Sequence, residues 1–539
     1  MRKPSPAEPL SPLRRERAAD ILGTLALAAV LCAMLTLFLL SLFYGARLRP
    51  GQYHIMSRAD IFEVNEWTSL VAFIAMVILL WQILRLKRSK SLVLALGVAV
   101  LAAHLLVGLT WVLSLEGPPT CDAGILYDIL IKMRAGAKDA TFLKNTGDMY
   151  RYYLVSYPFQ FGFFSYTDLL LKLTGEVLLA PAIRVLSVLF IVSSYGAIML
   201  LTQKIFRDEH ITLLTILLLA VCIQPLLYSS ACYSQIPSFA FGIWGIYAAV
   251  NYLTNRRKRT LLLSAVLLAL AVYLKPNAWI MIAAVSIVLV LDAIRAWRWR
   301  SLAAVLVLVA LALPAPKLIQ SYYEAEIGTT FGKGYPMVSW IAMSLQEGDH
   351  TTGWYDHTYN VKLKRQFGED MAGVSKQSIV DLRDGLENIT SEPGKLRVFL
   401  SEKIGSQWLE PTFMCIWATN GGGPPVPSAT NAFSRFFYGE RFDNLFRFGM
   451  RYYLILLYGG AVLSVIMLFR KRTDAMLILP LIILGGVLYH VLFEAQSRYA
   501  LNYLPLFAPV AAFGIVTSGG KIHGWFSKRK HNAAGKEVN

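Results

Sequence analysis

Asp122 occupies the position in this sequence that best suits acid–base chemistry. It follows an apolar run that is closed by Pro118 and Pro119, and an amphipathic pattern comes directly after it. Two prolines end a helix and extend the chain, so the carboxylate should lie just outside the end of a helix. A carboxylate held there can exchange a proton with a substrate. An ordinary helix N-cap is the competing interpretation, because Asp is common before such a helix.

Aromatic and amide side chains follow the Asp122 segment. Residues 150–164 read YRYYLVSYPFQFGFF. Rings at this density are typical of the interfacial belt of a membrane protein, and we interpret most of them in that way. Tyr157 and Gln160 carry polar groups that should lie close to Asp122. We therefore predict that these two residues bind substrate.

The elements that must position these residues are membrane-spanning helices. The 539-residue chain is 56% hydrophobic and only 16% charged, whereas about a quarter of the residues in soluble domains are charged. Apolar stretches of about 18 to 25 residues recur along the chain, each long enough to cross a bilayer as a helix. We predict an all-α polytopic membrane protein with about 12 transmembrane helices. The predicted spans are 21–43, 67–86, 91–114, 177–204, 211–228, 238–254, 260–274, 277–294, 301–318, 452–470, 475–493 and 500–518.

The basic residues indicate how these spans are oriented. The chain has 52 Lys+Arg against 34 Asp+Glu, a formal net charge of +18. The Lys/Arg clusters fall in alternate connections, which the positive-inside rule assigns to the cytoplasm together with both termini. The positive net charge therefore indicates how the spans are oriented in the membrane, and it does not support a nucleic-acid partner. We predict a disordered cytoplasmic tail at 1–20, followed by a retained helix, and a basic cytoplasmic tail at 519–539.

Two long connections, 117–176 and 319–450, are then predicted to face the outside. In the first, apolar residues at helical spacing predict two amphipathic helices that lie on the bilayer surface. The apolar faces consist of Ile125, Leu126, Ile129, Leu130 and Met133 in one helix and of Tyr166, Leu169, Leu170 and Leu173 in the other. We therefore expect the chemistry of the protein on its outer side.

The second connection is too long for a passive link, and it suggests a lid or an acceptor-binding subdomain. We predict helices near Ser375–Asn388 and Lys395–Gln407, and a Gly/Pro break at 421–425. The predicted substrate-binding side chains, suited to stacking on sugars or bonding to them, are Trp354, Tyr355, Asp356 and Trp408. Packing within the subdomain explains the tryptophans equally well.

Several short motifs occur in order along the chain. They are Asp122 after an early span, YPFQFG at 157–162, YLKPN at 273–277, GWYD at 353–356, EKIGSQW at 402–408 and EAQSRY at 494–499. This arrangement resembles the membrane-embedded GT-C glycosyltransferases, in particular bacterial members similar to protein O-mannosyltransferases and to the lipid A aminoarabinose transferase. The resemblance covers a membrane core at 91–318, the outer subdomain at 319–450 and C-terminal spans at 451–518. Two features depart from it: the segment 21–90 is an added N-terminal transmembrane hairpin, and the Asp-Glu pair common in the mannosyltransferases is Asp122-Ala123 here.

The resemblance implies an inverting glycosyltransferase that moves a sugar from a polyprenyl-phosphate donor to an envelope acceptor, which is a glycan, wall polymer, lipid or protein. It implies that Asp122 is the general base, which deprotonates the acceptor hydroxyl as it attacks the anomeric carbon. The leaving phosphate needs cations near a low-dielectric boundary. Lys275, Arg498 and Arg184 are the candidates, although snorkelling also explains the first two.

Other interpretations remain open at the level of sequence. His490 and Glu494 are placed to line an acceptor pocket or to be satisfied helix-end residues. No DxD motif lies near Asp122, so we predict no metal or other cofactor. A flippase of lipid-linked saccharides would carry ionisable residues in the middle of its spans, whereas the charges here cluster at helix ends and in outer loops. A polymerase or ligase using a lipid-diphosphate oligosaccharide is the other alternative. The predicted location is the cytoplasmic membrane, with the active site outside.

Overall fold

The computed structural model describes residues 12–49, 58–85, 89–115, 117–119, 121–135, 149–348, 350–416, 436 and 440–534. Within these ranges the chain is almost entirely helical and contains one two-stranded sheet. Ten of the described helices are long and apolar enough to cross a membrane, and a bent pair raises the number to eleven. The prediction of an all-α polytopic membrane protein is confirmed.

The helices and strands are numbered here in chain order. They are α1 (Pro12–Phe43), β1 (Tyr44–Arg49), β2 (Arg58–Glu63), α2 (Glu66–Leu84), α3 (Lys90–Leu113), α4 (Cys121–Arg134), α5 (Met149–Ser156), α6 (Phe161–Phe206), α7 (Glu209–Val221), α8 (Gln224–Tyr228), α9 (Gln235–Asn255), α10 (Lys258–Leu274), α11 (Trp279–Ala296), α12 (Trp299–Ala312), α13 (Ala315–Ile327), α14 (Met337–Met343), α15 (His357–Phe367), α16 (Met371–Thr390), α17 (Lys395–Trp408), α18 (Glu440–Leu468), α19 (Ile478–Leu492), α20 (Ser497–Ala500) and α21 (Leu504–Ala534).

The spans begin and end at the polar turns that the sequence marked. Ser89 and Asp208 accept backbone N–H groups in the first turns of α3 and α7, which satisfies donors that a helix start leaves open. Arg207 and Arg256 adopt a left-handed conformation after α6 and α9, and this conformation ends a helix. Local chain chemistry therefore sets the lengths of the membrane helices.

Several spans differ in detail from the predicted bounds. The predicted span 211–228 is the bent pair of α7 and the following short helix, with a 45° break. The predicted span 260–274 is α10, which has 17 residues. Helix α6 begins at Phe161 and absorbs the second predicted surface helix, with a break at Gly175, where φ is 74°.

The two predicted tails are partly helical. Helix α1 begins at Pro12, so the tail predicted for 1–20 is ordered from that residue onward, and residues 1–11 lie outside the described ranges. At the other end α21 continues to Ala534 and includes most of the tail predicted for 519–539. The apolar sequence of each terminal span therefore carries its helix into the charged flanking residues. The predicted Gly/Pro break at 421–425 also lies outside the described residues.

The N-terminal hairpin contains a sheet that the sequence did not predict. Strands β1 and β2 pair antiparallel between α1 and α2, with Tyr44 opposite Glu63. The sheet contacts α17 in the long connection 319–450, which we call the outer connection after its predicted side, and the Ala59 N–H donates to the Thr351 hydroxyl at 2.7 Å. Helix α1 itself packs along α11 and α18. The segment 21–90 is therefore built into the membrane core and supports the outer connection.

The outer connections are helical where the sequence predicted helices. Helices α16 and α17 lie at the two positions predicted near Ser375–Asn388 and Lys395–Gln407. Helix α4 lies at the first predicted surface helix, but its buried residues Leu126, Ile129 and Leu130 pack in one cluster with Phe161 of α6 and Tyr323 of α13. The apolar face of α4 is thus covered by protein, which fixes the helix whose first turn carries Asp122.

Candidate active site

Asp122 lies in the first turn of α4, on the side of the helix that faces the loop between α8 and α9. Its carboxylate accepts a hydrogen bond from the Tyr233 hydroxyl at 3.3 Å. Tyr233 follows Cys232, a residue with φ of 54° that turns the chain between the two helices. The hydrogen bond of Asp122 goes to a tyrosine and not to the backbone of α4, which argues against the N-cap interpretation.

Gln160 extends this contact into a chain of hydrogen bonds. Its side-chain amide donates to the Tyr233 hydroxyl at 2.7 Å and lies 3.4 Å from the Tyr153 hydroxyl. Burial and the nearby Asp122 carboxylate raise the pKa of Tyr233 well above its usual value. Tyr233 therefore keeps its proton and can donate it to Asp122 while it accepts from Gln160. In this geometry Gln160 holds the orientation of the carboxylate.

Lys275 lies on the other side of Tyr233, in the break between α10 and α11. Its Nζ is 4.9 Å from the centroid of the Tyr233 ring and 5.6 Å from that of the Tyr499 ring. Burial, followed by the positive charge of Arg498, lowers the pKa of Lys275 to about 7. An anion bound beside this amine would favour its charged form and raise that pKa again.

A small crevice opens next to Lys275. It has a volume of about 20 Å³, and its lining includes Lys275 and Tyr499 together with the apolar side chains of Phe239, Ile280 and Met281. A volume of this size holds about one water molecule, so the crevice admits a small polar group beside the Lys275 amine.

Arg498 brings a second cation to the same place. It lies in α20, where its guanidinium carbon is 5.3 Å from the Tyr499 ring centroid. The Gln235 amide donates to the Arg498 carbonyl oxygen at 2.9 Å, while the buried Arg498 Nε has no hydrogen-bond partner. The charges of Asp122, Lys275 and Arg498 act on one another. The structure therefore brings together three of the predicted site residues, which are far apart in sequence.

Arg184 has a different environment. Its two terminal nitrogens donate to the carbonyl oxygens of Leu115 and Gly117, at 3.2 and 2.8 Å. Leu115 and Gly117 follow the third predicted span and precede Asp122. Arg184 was predicted to bind the donor phosphate, and in this structure its contacts hold the segment that leads to Asp122.

The predicted sugar-binding residues fall into two groups. Tyr157 and Tyr355 approach each other with their hydroxyl oxygens 3.5 Å apart, and the Asn360 amide donates to both, at 3.1 and 3.2 Å. The negative charge of Asp122 acts on both tyrosines. This pair therefore belongs to the surroundings of the site.

Trp354, Asp356 and Trp408 have structural roles in the described geometry. The Trp354 indole is 1% exposed and donates to the Ser406 hydroxyl at 3.0 Å. Asp356 caps α15 by accepting from the backbone N–H of Thr358 at 2.8 Å. Trp408 is also 1% exposed, and it packs among rings of the membrane helices. The two tryptophans follow the packing alternative, and Asp356 is a helix cap.

Tyr233 and Lys403 were missed at the level of sequence. Tyr233 lies at a break between two predicted spans, and that position is the signal that could have identified it. Lys403 is 0% exposed, and nothing in the EKIGSQW motif at 402–408 distinguishes it from a solvated lysine. Across the described residues no three His, Cys, Asp or Glu side chains are grouped so as to hold a metal ion.

Gly162 allows the start of α6 to lie against the backbone of Tyr273, close to Lys275. A Cβ atom added to Gly162 would overlap the carbonyl oxygen of Tyr273, two residues before Lys275. We expect Gly162→Ala to destabilise the protein by about 1–3 kcal/mol, as overpacking does. We also expect it to lower the rate of the predicted sugar transfer, because Lys275 moves away from Asp122. Thermal unfolding measures the first effect, and the rate of sugar transfer in detergent measures the second. Gly449→Ala is the matched control, because an added Cβ there meets nothing within 4 Å; equal behaviour of the two variants would contradict this account.

Comparison with known families adds one match. The family model described as dolichyl-phosphate-mannose-protein mannosyltransferase matches residues 162–319. This range runs from α6 into α13 and contains Arg184, Tyr233 and Lys275, whereas Asp122 and Arg498 lie on either side of it. No curated protein matches the chain.

Proposed function

We propose that this chain transfers a sugar from a polyprenyl-phosphate donor to a cell-envelope acceptor with inversion at the anomeric carbon. The family match supports a membrane glycosyltransferase of the GT-C type. Asp122 is the general base of this reaction. The observation that carries the proposal is the meeting of one carboxylate with two cations, Lys275 and Arg498, around the Tyr233 ring.

The donor phosphate fits this arrangement. Lys275 and Arg498 bind the lipid phosphate, because charge-assisted bonds are strong where water is scarce. The isoprenoid tail stays in the membrane beside the apolar spans, since the crevice, at about 20 Å³, is too small to hold it. The phosphate restores the charge of Lys275, whose pKa of about 7 reflects burial and the repulsion from Arg498.

The reaction then needs one proton acceptor. Asp122 takes the proton of the acceptor hydroxyl as its oxygen attacks the anomeric carbon. The bond between that carbon and the phosphate oxygen breaks on the opposite face, and the released polyprenyl phosphate stays with Lys275 and Arg498. Phosphate is already a good leaving group, so no separate general acid is required. The hydrogen bond from Tyr233 keeps the carboxylate oriented through the step.

The location follows from the distribution of basic residues in the sequence. The Lys/Arg clusters favour a cytoplasmic position for the termini and for alternate turns. Asp122, Lys275 and Arg498 all lie at helix ends on the opposite side of that topology. The active site therefore faces the outside of the cytoplasmic membrane, where lipid-linked sugars meet envelope acceptors.

The proposal is tested with purified full-length protein and a radiolabelled polyprenyl-phosphate sugar, in membranes that contain the envelope acceptors. We expect label to leave the lipid, to appear in a glycosidic product of inverted anomeric configuration, and polyprenyl phosphate to accumulate in equal amount. Label that crosses the membrane while it stays on the lipid would instead indicate a flippase and would refute the proposal.

A further inference from the structure

A second group of polar side chains lies beside Asp122 and has no part in the mechanism above. It consists of Lys403, Gln407, Glu494 and Gln496, which we call the inner polar cluster. Each has a buried polar atom without a hydrogen-bond partner: Lys403 Nζ, Gln407 Oε1, Glu494 Oε2 and Gln496 Oε1. Lys403 and Gln407 are 0% exposed. Buried polar groups in native proteins are nearly always bonded. Open positions on two segments that pack together, α17 and the chain that leads into α20, therefore indicate a ligand.

The large outer connection builds this cluster on top of the membrane helices. The chain between α19 and α20 is extended, and the Glu494 N–H donates to the Trp340 carbonyl at 3.2 Å. The Ala495 N–H donates to the Gly353 carbonyl at 3.0 Å. Gly353 has φ of 75°, and an added Cβ would be 2.6 Å from the Lys403 side chain. The stem of Lys403 therefore runs across Gly353, and backbone bonds hold both sides of the cluster in place.

The chemistry of the four groups favours a ligand rich in hydroxyls. Lys403 offers a donor, while Gln407, Glu494 and Gln496 offer open acceptors. A hydroxyl both donates and accepts, so neighbouring hydroxyls can satisfy the two kinds of group at once. A phosphate would accept from Lys403 but would face three further acceptors. Burial lowers the pKa of Lys403 to about 7 and raises the pKa of Glu494 to about 7, which also favours a neutral ligand.

The cluster adjoins the reacting groups. The charges of Arg498, Lys403, Asp122 and Lys275 all act on the Glu494 carboxyl. We propose that the inner polar cluster is a subsite for a sugar ring, which holds the hydroxyls of the donor sugar or of a sugar acceptor beside Asp122. This inference rests on the proposed glycosyl transfer and assigns its substrate contacts to residues of the outer connection.

Two variants with small changes in shape test the subsite in the full-length protein. Lys403→Met removes the amine and Glu494→Gln removes the charge, and Lys395→Met on the same helix is the control, since Lys395 bonds Asn388 at the surface. We expect Lys403→Met to unfold at the same temperature as the wild type or at a higher one, because a buried amine without a hydrogen-bond partner is lost. Undecaprenyl phosphate, which carries no sugar, should bind all variants within about twofold, since its phosphate contacts are elsewhere.

Two further measurements show whether the subsite holds the donor sugar or an acceptor sugar. If the donor sugar occupies the subsite, both variants bind undecaprenyl-phosphate mannose about tenfold more weakly than the control. If an acceptor sugar occupies it, both lipid probes bind normally and the acceptor concentration for half-maximal transfer rises about tenfold. The subsite is refuted if bare undecaprenyl phosphate is weakened as much as the mannosyl lipid, or if none of these constants changes. Absence of a glycosidic product from the wild type refutes the proposed function instead, and the two lipid probes still report on the cluster.

Discussion

Asp122→Asn is expected to lower the rate of sugar transfer by roughly 10²–10⁴-fold, the range that general-base catalysis contributes. The amide has the shape of the carboxyl and can still accept the 3.3 Å bond from Tyr233, so the fold and the donor site should persist. The Asp122→Asn variant loses the ability to take a proton from the acceptor hydroxyl. Initial rates at saturating radiolabelled donor measure the loss, and donor KM should change little.

Two companion variants separate base catalysis from general damage. Asp128→Asn makes the same chemical change at an exposed position of the same helix α4, and we expect transfer within about twofold of the wild type, since surface changes there cost little. Tyr233→Phe removes the hydroxyl between Gln160 and Asp122, and a loss of about tenfold is expected from one hydrogen bond. Transfer by Asp122→Asn at a third or more of the wild-type rate would exclude the general-base role.

The sequence predicts the helices of this protein well because its signals are local. A run of about 20 apolar residues has one stable form in a bilayer, since every backbone group must be satisfied within the segment. Helices α16 and α17 also lie at the two positions where helices are predicted. By contrast, β1 and β2 were missed, because their residues lack a clear alternation and their support comes from Thr351, far along the chain.

The candidate site could be predicted only where a charge stands out against the membrane spans. Asp122, Lys275 and Arg498 are predicted because each is a charge at the end of an apolar helix, and the structure brings the three together. Arg184 was found by the same rule, yet its partners are backbone carbonyls that no sequence pattern reveals. Lys403 was missed because no feature of its local sequence marks it as buried. Tertiary packing decides which of its lysines is buried, and Lys395 and Lys403 differ in exposure for that reason alone.

Arg498→Gln is expected to lower kcat/KM for the lipid donor by about 10²–10³-fold, as the loss of one preorganised charge at a leaving group does. A guanidinium is always charged and can bind a phosphate with two nitrogens, whereas burial and the charge of Arg498 lower the pKa of Lys275 to about 7. Arg498 is therefore the permanent cation of the pair. Its removal should also weaken binding of bare undecaprenyl phosphate, which equilibrium binding to the purified protein measures.

The pH dependence of phosphate binding tests whether Lys275 and Arg498 act on the same phosphate. Without Arg498 the repulsion on Lys275 is relieved, so the pKa of Lys275 should rise and its charge should persist to higher pH. Binding of undecaprenyl phosphate to the wild type should weaken as pH rises through about 7, where free Lys275 loses its proton, and Arg498→Gln should move that decline to higher pH. Arg383→Gln, at an exposed arginine of the outer connection, controls for loss of one positive charge. An unchanged pH dependence in Arg498→Gln would mean that the two cations do not share one phosphate.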